Sequence, residues 1–290
     1  MNDKQKALIF ILLVSILGGA TSPVTKIGLV SIPPLSFAFI RFLIAGILIL
    51  PFLIGRKDLR SLWKLTPLSL LMSFNIILFI LGLKTTTATI SQILYAASPL
   101  LVALFLFILF KERITKKKTI GIAIGFLGVI IVVLLPVLEK GTKFSGDLLG
   151  NILIAGGAIL SSLYLTYSKK AHINTFSPFI ITSSFILVTC IVLFPLSLLE
   201  SVIQSGWWNS LTLSSSLALI YISTASTILT YLLLQYSIKY GGSILASMQH
   251  YLVPPLAFLF SFLLLGEQLT TGLIVGGILA LLGVYITTKK

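Results

Sequence analysis

Ten runs of apolar residues, each near the length that crosses a bilayer, follow one another with little between them. They fall at about 8–29, 34–54, 65–83, 88–110, 118–137, 147–168, 177–198, 211–236, 242–265 and 271–288. A helix needs about 20 apolar residues to span the hydrocarbon core. Outer-membrane strands alternate over shorter segments, whereas these runs are continuously apolar and read as helices that bond their own backbone. With 57% hydrophobic and 10% charged residues, a soluble globule would have almost nothing to cover its surface with. The expected fold is an all-α polytopic membrane protein with ten transmembrane helices.

The sequence also repeats itself. Sliding the chain by 155 residues sets Lys84 on Lys239, Pro99 on Pro254, Glu112 on Glu267, Thr115 on Thr270, Gly121 on Gly276 and Gly128 on Gly283. Apolar matches such as Phe105 with Phe260 and Phe107 with Phe262 fill the gaps. The duplication divides the chain into 1–140 and 146–290, five spans each. An odd number of spans inserts the second copy upside down, so two inverted five-helix repeats are expected. The segment Leu138 to Gly146 links them, with Asp147 as the expected N-cap of the sixth helix. A second outer segment is expected from Glu200 to Ser210. The opening residues imitate a signal peptide, but the apolar run after them is long for one and reads as a span.

A net charge of +14 raises the question of a nucleic-acid partner. Placing the N-terminus in the cytoplasm puts Lys4, Lys6, Arg56, Lys57, Arg60, Lys64, Lys111, Arg113, Lys116, Lys117, Lys118, Lys169, Lys170, Lys239, Lys289 and Lys290 inside, and only Lys26, Lys84, Lys140 and Lys143 outside. That bias fixes orientation, with both termini cytoplasmic, and sets the basic residues against anionic membrane lipids. No nucleic-acid partner is needed. Around Glu112 the loop is basic; around Glu267 it reads Gly266-Glu-Gln268, which lets it lie on the other side. Trp63, Trp207 and Trp208 suit interfacial anchors. The single cysteine, Cys190, lies in the seventh run and permits no intrachain disulfide.

Pro99 with its apolar helix, Phe110-Lys-Glu-Arg-Ile-Thr115, and Gly121, Gly125 and Gly128 recur from Pro254 through Gly266-Glu-Gln-Leu-Thr270 to Gly276 and Gly283. Together with Lys26 and Arg41-Phe-Leu-Ile-Ala-Gly46, this pattern resembles the paired EamA repeats of the drug/metabolite transporter superfamily. The resemblance implies a prokaryotic inner-membrane carrier, often an exporter of amino acids or other small metabolites and sometimes an importer. Its cavity would be lined by the first, third, fourth, sixth, eighth and ninth helices. The second repeat departs from the pattern, with Phe185 near the position equivalent to Arg41 and Gln268 in place of a basic residue.

Polar groups kept deep in a span tend to face the bundle or a water-filled space. The fourth span carries Ser91, Gln92, Tyr95 and Ser98 before Pro99, and the ninth carries Ser247, Gln249 and His250 before Pro254 and Pro255. The repeat shift sets Tyr95 on His250, so two related patches are expected near mid-membrane. The candidate substrate-binding residues are Asn75, Gln92, Tyr95, Tyr164, Tyr231, Gln249 and His250; mutual satisfaction in helix packing is the competing role. Pro23, Pro99, Pro254 and Pro255 mark bends where gates can move, or curvature fixed by packing. Arg41 either snorkels outward or serves a gate or a substrate carboxylate. Glu112 and Glu267 precede the expected N-caps Thr115 and Thr270 and suit a structural role at helix N-termini. The glycines of the fifth and tenth spans suit close helix packing.

No Asp or Glu falls in mid-span, so the carboxylate relay or sodium cage of many transporters is missing. Either uncoupled facilitated exchange or modest proton dependence through His250, the mid-span group suited to it, is therefore expected. Ser243 and His250 are two helical turns apart and cannot form a nucleophile and base pair, and neither acidic metal clusters nor phosphate loops occur. The chain is therefore expected to be no enzyme and to need no cofactor or metal. The expected function is secondary transport of small neutral or zwitterionic metabolites, as a monomer or homodimer, with a channel or flippase as the alternative. Phosphorylated sugars are disfavoured because mid-membrane lacks a basic cluster.

Overall fold

The computed structural model describes residues 2–54, 56, 61–83, 85, 88–139, 148–174, 176–265 and 271–288. Lys57, Arg60, Lys84, Lys140, Lys143, Asp147, Glu267, Gln268, Thr270, Lys289 and Lys290 lie outside the described residues, as does the side chain of Gln92. Among the described residues the chain is helical without strands, an all-α polytopic membrane protein. Runs long and apolar enough to cross a membrane are Asp3–Gly28, Pro34–Leu53, Leu148–Ile173, Pro178–Ile203 and Leu213–Ser247, with shorter apolar helices between and after them. Large apolar side chains such as Ile47, Phe52 and Ile191 stand exposed on the outside, where lipid replaces water.

The helices are α1 (Asp3–Gly28), α2 (Pro34–Leu53), the short α3 (Ser61–Lys64), α4 (Thr66–Leu83), α5 (Ala88–Ala96), α6 (Ser98–Phe110), α7 (Lys116–Glu139), α8 (Leu148–Ile173), α9 (Pro178–Ile203), α10 (Leu213–Tyr221), α11 (Thr230–Ser247), α12 (Gln249–Leu265) and α13 (Thr271–Thr288). Their starts follow local chemistry. Asn2 and Gln5 close a capping box on α1, and Ser177 accepts from the Ile180 amide to start α9, with Pro178 at its first position. The start of α2 has a long-range cap: Glu200 Oε2, from α9, accepts the Ser36 amide at 2.7 Å. Glu200 is thus buried within α9 and does not begin an outer loop, because the unpaired amides of α2 hold its carboxylate.

Three expected spans differ in detail. The run 88–110 is not one helix: Pro99 lacks an amide hydrogen, and the chain turns at Ala97 between α5 and α6. The eighth span, expected to end near 236, continues to Gly242, whose φ of 79° and ψ of 169° break α11 internally. Gly242 falls at the start of the ninth apolar run, and a further turn at Met248 precedes α12. Within the eighth span, Ile222–Leu229 is a π-helix joining α10 to α11. Hydroxyls support the wide turn: Thr227 donates to the Ile222 carbonyl at 2.8 Å and Thr230 to the Ala225 carbonyl at 3.0 Å, each five residues back.

Packing is reciprocal between the two copies. α4 lies on α8 as α11 lies on α1; α6 meets α8 as α12 meets α1; α2 pairs with α9 and α7 with α13. Glycine makes the last contact possible, since a Cβ on Gly283 would sit 2.4 Å from the Gly125 amide nitrogen. Hydroxyl pairs join other helices, including Ser69 with Ser184 at 2.9 Å, Ser73 with Thr189 at 2.7 Å and Ser98 with Ser162 at 2.8 Å.

Candidate functional site

Tyr95 ends the last full turn of α5, one turn before Pro99, and His250 opens α12; their ring centroids stand 5.7 Å apart at 47°. Behind Tyr95, Asn75 of α4 donates both to its hydroxyl and to the Gly157 carbonyl of α8. A Cβ on Gly157 would come within 2.8 Å of the Tyr95 hydroxyl, so the glycine is what admits it. Phe79 meets the Tyr95 ring edge-on at 5.5 Å. His250 Nε2 is buried with no hydrogen-bond partner among the described residues, and a buried polar atom left unpaired in an apolar interior costs about 1–3 kcal/mol.

A second group stands across the bundle. Tyr164 is fully buried and its hydroxyl accepts from Gln235 Nε2 at 2.8 Å. The same amide donates to Ser168 at 3.1 Å, and its oxygen faces His172 Nε2 at 3.0 Å. Phe185 packs on Phe42, Tyr164 and Tyr231, closest to the last at 4.5 Å. Tyr231 reaches this group through Phe185. Arg41 does not snorkel. Its Nε donates to Thr227 Oγ1 at 3.0 Å, on the π-helix, because that hydroxyl supplies an acceptor inside the bundle.

Arg41, Tyr95, Tyr231, Gln249 and His250 are each partly accessible, whereas Asn75, Tyr164 and Gln235 are buried. Pro23 lies within an uninterrupted α1, and Pro254 and Pro255 lie within α12 after the turn at Met248. Glu112 meets Lys169 of α8, which donates to both carboxylate oxygens at 2.6 Å. It therefore ties the loop before α7 to α8, while Thr115 alone caps α7, accepting from the Lys118 amide at 3.4 Å. Among the described residues no three His, Cys, Asp or Glu side chains gather as metal ligands would.

Sequence reasoning passed over Gln235, Thr227 and Gly157. Gln235 carried a usable signal, an amide one turn beyond Tyr231 on the same helical face. Gly157 and Thr227 carried none, because small and hydroxylated residues are common in spans.

The sequence matches the EamA-like transporter family twice, over residues 5–134 and 148–289. This chain belongs to that family. It is 29% identical over 278 residues to an uncharacterized transporter of Archaeoglobus fulgidus, covering 91% of each chain. To the uncharacterized inner membrane transporter YedA of Escherichia coli it is 30% identical over 294 residues, covering 95% of this chain and 90% of the other. A solved crystal structure of another protein superposes with a TM-score of 0.78 at 19% identity, covering 97% of this chain and 96% of that one, and so shares the fold. As a family member with several apolar helices, the chain is a multi-pass membrane transporter.

Proposed function

We propose that this transporter is a secondary carrier of the prokaryotic plasma membrane that exports small neutral or zwitterionic metabolites, amino acids among them, by alternating access. Its ten spans form two antiparallel halves, 1–140 and 146–290, with both termini in the cytoplasm. One observation carries the reading: Tyr95 and His250, exchanged by the repeat shift of 155, meet ring to ring inside the bundle. Residues related by a twofold axis touch each other only near that axis, which is where an inverted-repeat carrier binds its substrate. The reciprocal helix pairing supports the same axis. The partly accessible aromatic and amide groups around it suit an uncharged or zwitterionic ligand of modest size, and His250 Nε2, without a partner among the described residues, is a polar contact for it.

The test is counterflow in proteoliposomes against a panel of amino acids and analogues. The wild type is expected to show saturable exchange, and His250→Ala to lose about tenfold in apparent affinity, the value of one hydrogen bond in a dry site. Non-saturating flux, or a His250→Ala variant with unchanged rates and substrate preference, would overturn the proposal.

A further inference from the structure

Arg41 poses a problem of charge that the fold leaves unsolved. A guanidinium stays protonated under all physiological conditions, and an unpaired charge inside a membrane bundle is costly. Its one hydrogen bond among the described residues goes from Nε to a neutral hydroxyl, Thr227 Oγ1, and the guanidinium stands 4.9 Å from the Phe42 ring centroid, a contact that leaves its charge without a counter-ion. The described carboxylates are engaged elsewhere: Asp3 with Lys6, Glu112 with Lys169, and Glu200 with the start of α2. Asp58, Glu139, Asp147 and Glu267 fall in loops or at helix ends by sequence. Among the described residues no carboxylate is bonded to Arg41, which keeps part of its surface accessible.

The geometry around the guanidinium is that of a receptor. Binding Nε to Thr227 fixes the guanidinium plane and leaves the two Nη groups as a parallel pair of donors, the arrangement that meets a carboxylate with two hydrogen bonds. Tyr231 stands four residues after Thr227, on the same face of the same helical run, with its ring held against Phe185. Its hydroxyl is a further donor on that face, and Tyr95 and His250 supply an aromatic surface elsewhere in the bundle.

We infer that Arg41, Thr227 and Tyr231 form a carboxylate-recognition subsite, so that the transported metabolites are those with a free carboxylate, their apolar portion lying toward Tyr95 and His250. The inference rests on the transport reading and narrows it. Neutral amides and esters of the same skeleton, and amines that lack the acid, are poor ligands. The π-helix has a part in this: it carries the hydroxyl that orients Arg41, and that hydroxyl is itself fixed by donating to the Ile222 carbonyl.

The experiment measures thermal stabilisation of the purified full-length protein by matched acid and amide pairs: phenylalanine and phenylalaninamide, leucine and leucinamide, 3-phenylpropionate and 3-phenylpropionamide. Phenethylamine serves as the acid-free amine. The acids are expected to stabilise the wild type and the amides not. Arg41→Gln is expected to weaken acid binding about a hundredfold, as loss of one partner of a buried charged pair does. Arg41→Lys, which keeps charge but loses the planar fork, is expected to fall between the two. Arg41→Gln gives up the bond to Thr227 and the contact with Phe42, so its melting temperature without ligand is measured alongside and acid binding is read as the ligand-induced shift at saturating ligand, which a folded variant with an intact subsite would keep. Equal stabilisation by acid and amide, acid binding that survives Arg41→Gln, or no acid binding in the panel overturns the inference. Binding of amides or amines that is lost in His250→Ala would leave the transport reading standing and the carboxylate subsite refuted.

Discussion

Replacing Gln235 with leucine is expected to destabilise the protein by about 2 kcal/mol, three hydrogen bonds at about 0.6 kcal/mol each as measured between membrane helices. Gln235 has no accessible surface, and its side chain contacts Tyr164 Oη at 2.8 Å, Ser168 Oγ at 3.1 Å and His172 Nε2 at 3.0 Å. Leucine nearly matches glutamine in volume, so the cavity contribution is small and the loss reports the polar contacts. Gln235 lies on α11, and its three partners lie on α8. The cost therefore measures how firmly the helix bearing Tyr231 is fixed to the one bearing Tyr164. Unfolding in mixed micelles with increasing dodecyl sulfate, followed by helicity, gives the value. The double variant with Tyr164→Phe then isolates one bond, with an expected coupling near 0.6 kcal/mol. A loss below about 0.5 kcal/mol for Gln235→Leu, a single bond's worth, would show that this network does not hold α8 and α11 together.

Two further outcomes follow from the geometry. Gly121→Ala is expected to cost about 1–3 kcal/mol by overpacking, because the new Cβ would lie 2.3 Å from Thr287 Oγ1 and 2.7 Å from the Thr287 amide nitrogen. Gly46→Ala, whose Cβ would meet only Leu187 Cδ2 at 3.6 Å, is the near-neutral control in the same melting assay. Replacing sodium with choline on both sides of proteoliposomes is expected to leave flux unchanged, since no carboxylate lies in mid-span; sodium-driven accumulation would contradict it.

The spans were legible because lipid imposes one rule along their whole length: a helix that meets hydrocarbon must be apolar and continuous. Gly242 was legible as a boundary for a related reason, since its φ of 79° is open to glycine and costly for other residues. The interior of the spans was harder to read. The π-helix at Ile222–Leu229 depends on hydroxyls that reach carbonyls five residues back, and serines and threonines make the usual four-residue contact equally well, as Ser223 does to Leu219. Composition cannot distinguish the two registers. Arg41 was ambiguous because its long side chain can point either way from one backbone position; Thr227, 186 residues later in the chain, decides it. Glu112 was read against its neighbour in sequence, Thr115, whereas its partner is Lys169, a contact between segments that local pattern does not report.

The glycine contact between α7 and α13 limits how such a molecule can change shape. Where two backbones touch without side chains between them, sliding or tilting would open bare peptide groups to hydrocarbon, so this pair acts as a fixed keel. On the alternating-access reading proposed above, rearrangement is then expected at the helix interruptions at Ala97, Met248 and Gly242 rather than at the keel.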